Sequence, residues 1–151
     1  MNLKKMIALV LAALVLLLAL PSMAEENTAV LIADAQKLDA SYTLALNAIS
    51  KENYETAKQH LDICFVYCDP QSNPTMYADL LLKRACIDVI EEKNDMALLL
   101  LDAALRIQPD LADAYLVLTQ IYSTEGNVDQ AIANLEKYIE LSQETALYET
   151  V

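Results

Sequence analysis

An all-α chain, built as a short solenoid of about three stacked antiparallel helical hairpins, is the fold class this sequence predicts. Three observations predict it. The first is a fixed spacing: Ala97 stands 34 residues before Ala131, Leu101 stands 34 before Leu135, and Leu105 stands 34 before Ile139. A period near that length is the spacing of stacked helix pairs. The second is a succession of apolar-periodic stretches separated by short polar turns, with no period-two run that would mark a strand. The third is punctuation. Gly126 is the only glycine of the chain, and it falls where one such turn needs a left-handed residue.

Residues 1–24 read as an export signal. Lys4 and Lys5 precede an uninterrupted apolar run from residue 6 to residue 20, Pro21 breaks it, and Ser22 and Ala24 put small residues where a signal peptidase reads. Fifteen helical residues rise about 22 Å, short of the ~30 Å hydrocarbon core. Cleavage after Ala24 is therefore expected, with an uncleaved anchor as the alternative. Residues 25–151 then form a helical repeat domain, with repeats at about 28–70, 75–109 and 111–143.

Within it, Asn27 or Thr28 can cap a first helix that reaches about residue 50. A polar turn at 51–53 leads into a second helix at 54–67, which buries Ala57, Leu61, Cys64 and Phe65. Residues 69–74 hold two prolines among polar turn formers and make the clearest break. An insertion there explains why Ala57 and Ala97 are 40 residues apart instead of 34. A third helix is expected at 75–91 and a fourth at 95–107. Pro109 and Asp110 open a fifth, which reaches about residue 124, and a sixth spans 128–142.

Charge and glycine content exclude several functions. The leader holds two of the ten cations and none of the 22 acids, so the remainder carries a formal net charge of −14. Nucleic-acid binding needs a basic face. The acidic balance instead suits solubility or a basic partner. A phosphate-cradling loop needs clustered glycines, and a single glycine supplies neither that loop nor a dinucleotide fingerprint. A calcium-binding EF-hand loop fails for the same reason.

Cys64, Cys68 and Cys86 all lie in the part read as exported, where an oxidising compartment permits disulfides. Cys64 and Cys68 share one helix, so a bridge would join Cys64 or Cys68 to Cys86. The alternative is that the thiols fill small packing slots. His60, the only histidine, completes no metal-ligand set with Cys64. No cofactor or metal site is expected, and no catalytic arrangement forms around the lone histidine.

The residues from Tyr77 to Gln143 resemble two tetratricopeptide repeats. In the last, Tyr115, Leu118, Thr119, Tyr122, Gly126, Ala131, Leu135 and Ile139 fill the family's packing slots, while Tyr138 replaces a small residue and Gln143 the exit proline. Both departures suit a terminal unit. In the middle repeat Ala97, Leu101, Ala104, Leu105, Ile107 and Pro109 match the second helix, whereas Leu82, Ala85, Cys86 and Val89 match the first only if the turn is one residue shorter. Asn53, Tyr54, Ala57 and Leu61 match an earlier repeat more weakly. The resemblance implies a concave face lined by the first helix of each pair. It places Asp113, Leu116, Gln120 and Ser123 there from the last repeat, and Asp79, Lys83 and Ile87 from the middle one. The partner-binding candidates are thus Lys83, Ile87, Asp113, Leu116 and Gln120. Some family members clamp a terminal carboxylate with Lys, Asn and Arg. Here only Lys83 and Arg84 are available, and the asparagines are missing.

The functional expectation is an exported, non-enzymatic protein–protein interaction scaffold, periplasmic or extracellular, whose ligand is a protein or peptide. The alternatives are a membrane-anchored subunit of an envelope assembly, if the leader persists, and a cysteine-dependent enzyme.

Overall fold

The computed structural model describes residue 28 and residues 30–148, with side chains as far as Gln143. The leader expected at 1–24 lies outside the described residues. Six helices and no strand occur among those described. They are α1 at residues 30–50, α2 at Tyr54–Tyr67, α3 at Pro74–Ile90, α4 at Asn94–Ile107, α5 at Ala112–Thr124 and α6 at Val128–Tyr148. The last runs several residues beyond the stop expected near Ser142.

Local chemistry sets the boundaries. The Asn53 side chain accepts from the Thr56 amide at 3.2 Å and starts α2; Asn73 accepts from Met76 at 3.4 Å and starts α3, with Pro74 in the first turn. Before α3, the Asp69 carboxylate accepts from the Ser72 hydroxyl and from the amides of Gln71 and Ser72. These bonds favour the charged form and hold its pKa below the usual carboxylate range.

All three hairpins turn the same way. Glu52, Glu92 and Gly126 are left-handed, with φ of 57°, 60° and 76°. Each lies five residues before the buried alanine of its second helix: Ala57, Ala97 and Ala131, 0%, 0% and 7% exposed. The turn bonds correspond as well. Glu91, Glu92 and Lys93 donate to the carbonyls of Ile87, Val89 and Asp88; Glu125, Gly126 and Asn127 donate to Ile121, Ser123 and Tyr122. Every member of the second set is the first moved by 34 residues, so the middle turn is not shortened by one. The expected slip came from substitution. Arg84 and Asp88 occupy the places of Leu118 and Tyr122, which makes the apolar residues of α3 read one position late.

Two packed clusters form the core. Ala45, Ala48, Ala57, Leu61, Cys64, Cys68, Leu80 and Ile87 join α1, α2 and α3; Leu82, Ala85, Ala97, Leu101, Ala114 and Ile121 join α3, α4 and α5. Small residues at the helix crossings let the backbones approach closely, and the leucines fill the space beside them. The first joint is further tied by Lys58 to Glu91 at 2.7 Å and Arg84 to Asp62 at 2.8 Å.

The curvature follows from which helices touch. Among the described residues α3 packs on α5, and Tyr42 of α1 reaches Asp79 of α3, whereas α2 and α4, and α4 and α6, are not in contact. The first helices of the pairs therefore crowd together on the inner, concave side, and the second helices splay on the outer side.

Candidate partner-binding groove

The 34-residue register fixes the inner face position by position. Asp39, Asp79 and Asp113 occupy one place in successive hairpins, at the same 40- and 34-residue intervals as Ala57, Ala97 and Ala131. The next inner places are held by Tyr42, Leu82 and Leu116, and then by Leu46, Cys86 and Gln120. Asp39, Asp113 and Gln120 are exposed. Leu46 and Leu116 are 38% and 43% exposed, while Leu82 is covered by α5 at 2%. The result is a row of carboxylates beside a discontinuous apolar strip.

Polar groups organise the middle of this face. The Tyr42 hydroxyl donates to Asp79 Oδ2 at 2.5 Å, and Lys83 Nζ lies 3.3 Å from Asp79 Oδ1. Burial pushes the tyrosine hydroxyl well above its usual range, and the bond to Asp79 pushes the same way. Tyr42 thus remains a neutral donor. The thiol of Cys86 sits half-buried among Lys83, Asp113 and Asp79. Burial raises its pKa, Lys83 opposes the rise and the two aspartates support it. At the far end, Val89, Glu92, Asn94, Gln120, Thr124 and Glu125 line an open cavity of about 350 Å³.

Of the five residues singled out beforehand, Lys83, Asp113, Leu116 and Gln120 lie on the inner helices. Ile87 is on α3 as well, but on the face turned to α2 and not on the groove. It is 1% exposed and packs in the cluster that joins α3 to α2, because the assumed one-residue slip rotated it onto the wrong face. Arg84 is likewise turned toward α2, to Asp62, and away from the groove. Asp39, Tyr42 and Leu46 of α1 complete this face, and the shared interval of Asp39, Asp79 and Asp113 is the sequence signal for them.

The cysteines are free. Cys64 lies in the cluster of the first joint, while Cys86 packs against that of the second, so neither Cys64 nor Cys68 is bridged to Cys86. The thiols of Cys64 and Cys68 donate to the backbone carbonyls of Leu38 and Asn73, both at 3.8 Å. Burial lifts the Cys64 thiol to about 11 and also raises Cys68, so both stay protonated near neutrality. Among the described residues no group of three or more His, Cys, Asp or Glu is placed to hold a metal ion, and no helix is long and apolar enough to cross a membrane.

Comparison with known proteins agrees with this geometry. The family model for the tetratricopeptide repeat matches residues 112–145, the hairpin of α5 and α6. The chain carries a tetratricopeptide repeat. Two solved structures share the fold. One is described as the crystal structure of MamA, with a TM-score of 0.61 and 22% identity over 74% of this chain and 61% of that one. The other, MamA MSR-1 C2, has a TM-score of 0.57 and 19% identity over 76% of this chain and 63% of that one. The chain therefore spans about three-fifths of the length of these two structures. No curated protein sequence matches. The tetratricopeptide solenoid is an architecture of protein interaction, since stacked pairs present an extended concave surface.

Proposed function

We propose that this protein is an exported, non-enzymatic adaptor whose tetratricopeptide groove holds a protein or peptide carrying basic side chains around an apolar contact. The observation that carries the proposal is the row of Asp39, Asp79 and Asp113 at one register of α1, α3 and α5, flanked by the exposed Leu46 and Leu116. Lys83 is the one cation on the middle inner helix near this row, and Asp79 already neutralises it. A cationic ligand would meet carboxylates that α-helices hold in place, and the neighbouring leucines would supply a desolvated contact. The groove is open, which suits an extended or helical segment more than a small molecule.

Two further features support a scaffold over a cysteine-dependent enzyme. The Cys64 and Cys68 thiols are bonded to carbonyls and kept protonated, and His60 Nδ1 has no hydrogen-bond partner among the described residues, so no thiolate–imidazole pair is assembled among them. Export rests on Lys4, Lys5, the apolar run and Ala24. Intact-mass measurement of the protein recovered from its producing cells should give a chain beginning at Glu25. A mass retaining Lys4 and Lys5 would favour the anchored subunit of an envelope assembly.

The binding claim is tested by affinity capture with the wild-type chain beside Asp39→Lys/Asp113→Lys. A partner held by the acidic row is released as salt rises and is absent from the double variant. Recovery of the same partner by both chains, insensitive to salt, would refute the groove.

A further inference from the structure

One position tells the end of the solenoid from its middle. Leu61, Leu101 and Leu135 are the same residue of α2, α4 and α6, yet the first two are 0% exposed and the third is 39% exposed. α3 covers Leu61 with Leu80 and Ile87, and α5 covers Leu101 with Ala114 and Ile121. Beyond α6 no described helix does the same for Leu135. The whole row on that side is bare: Val128, Ile132, Leu135 and Ile139 are 62%, 51%, 39% and 45% exposed. They recur at the spacing of one helix face.

α1, at the opposite end of the described helices, carries the matching surface. The places that Leu80, Arg84 and Ile87 use in α3, and Ala114, Leu118 and Ile121 use in α5, fall in α1 on Ala40, Leu44 and Asn47. All three are exposed, Leu44 at 48%. Beside them Lys37, Ala40, Ser41, Ile63, Val66 and Tyr67 line a mainly apolar cavity of about 440 Å³.

We infer that the occupant of the bare α6 face is a second copy of this chain, stacked head to tail, with its α1 on α6 as α3 lies on α2 and α5 on α4. The internal joints supply the register. Phe65 meets Tyr77 edge to face, with centroids 5.4 Å apart, and at the same two places of the next joint Leu105 and Leu111 both pack against its core. The corresponding pair between copies is Ile139 and Lys37, which sets Ile139 at the mouth of the cavity. Leu135 falls against Ala40 and Asn47, as Leu101 does against Ala114 and Ile121. Charge agrees with the pairing. The α1 end presents Lys51, where the internal joints have Glu91 and Glu125, and Lys37, which lies 3.5 Å from its neighbour Asp34; α6 carries Asp129 and Glu136, while its Glu140 is paired with Lys137 at 2.9 Å. An α6-to-α6 pairing would instead bring those acids together.

Such a joint uses different surfaces on the two copies, so it does not close on itself and extends into linear stacks. One helix row covers a modest area, so the association is weak and falls with salt.

Sedimentation equilibrium tests this with four samples: the wild-type chain, Ile132→Asp, Leu44→Asp, and an equimolar mixture of the two variants. The wild-type mass should climb past the dimer as concentration rises over about two decades. Each variant alone should remain a monomer, because one of its two ends is spoiled. The mixture should form dimers and stop there, joined through the one intact α6 face and the one intact α1 face. Lys37→Glu/Lys51→Glu provides a second α1 variant that removes no apolar group, should one of the others unfold on melting. A wild-type monomer at every concentration, an α1 variant that still associates, or a mixture that stays monomeric would each overturn the inference. Association through the apolar residues 6–20 would survive in both variants, and so would also count against it.

Discussion

Glu92 and Gly126 hold the same backbone position in consecutive hairpins, and both are left-handed, at φ 60° and 76°. Only one of the two residue types adopts that conformation without strain. A side chain there costs roughly 1–2 kcal/mol, and glycine gives back roughly 0.5–1 kcal/mol in unfolded-chain freedom. Glu92→Gly should therefore stabilise the protein slightly. Gly126→Ala should destabilise it by roughly 1 kcal/mol, although the space around a new Cβ is empty to 4 Å. Thermal melting of both variants checks this. A loss of stability in Glu92→Gly would mean that the Glu92 side chain holds something the backbone does not show.

Ala131→Trp should loosen the last hairpin. Ala131 is 7% exposed at the crossing of α5 and α6, and an indole there overpacks the joint by roughly 1–3 kcal/mol. The neighbouring Ala133 is exposed, and the same substitution there should stay within about 0.5 kcal/mol of wild type. Asn134 is no such control. It is half-buried, and its amide donates to the Gln130 carbonyl at 2.8 Å. Equal melting temperatures for the Ala131 and Ala133 variants would contradict the packing register.

Acid should weaken the first joint through Glu91. Hydrogen bonds from Lys58 and then Lys93 hold its carboxyl at about 2, down from an ordinary 4.5. A carboxyl depressed in the folded state adds stability above its unfolded value and loses it as pH falls through the folded one. The stability supplied by Lys58 and Glu91 is thus complete above about pH 4.5 and is lost toward pH 2. Denaturant titrations should show this slope in the wild type and a shallower one in Glu91→Gln. Parallel slopes would indicate that the pair is too well solvated to matter.

Much of the architecture was legible in the sequence because repeats are locally encoded. The interval of Ala97 and Ala131 located α4 and α6, and the prolines at 70 and 74 located the break before α3. Two things escaped for physical reasons. Glutamate is not a residue one expects in a left-handed turn, so Glu52 and Glu92 went unread beside Gly126. The half-buried Arg84 and the buried Asp88 stand where the last repeat has Leu and Tyr, which displaced the apparent register and carried Ile87 onto the wrong face. The slots of Leu135 and Ile139 were recognised, but a slot says nothing of whether a neighbour fills it. Both are largely exposed where Leu61 and Leu101 are not.

Leu116 lies where the groove meets the open end of the solenoid. At 43% exposed it is not a core residue, unlike its counterpart Leu82 at 2%. Leu116→Asp should therefore keep the melting temperature close to wild type and still weaken partner binding. A buried, unpaired carboxylate in the complex costs several kcal/mol. A large fall in melting temperature would return Leu116 to the core.

The central claim is that the inner face of α1, α3 and α5 binds a basic partner, and calorimetric titration of the captured partner into Asp39→Lys/Asp113→Lys tests it most directly. Both aspartates are exposed, so the variant should fold and melt like the wild type. Two charge reversals on the acidic row should cost at least about 1.4 kcal/mol, a tenfold loss of affinity, and should reduce the salt dependence of what binding remains. Wild-type affinity with unchanged salt dependence in the double variant would contradict the account.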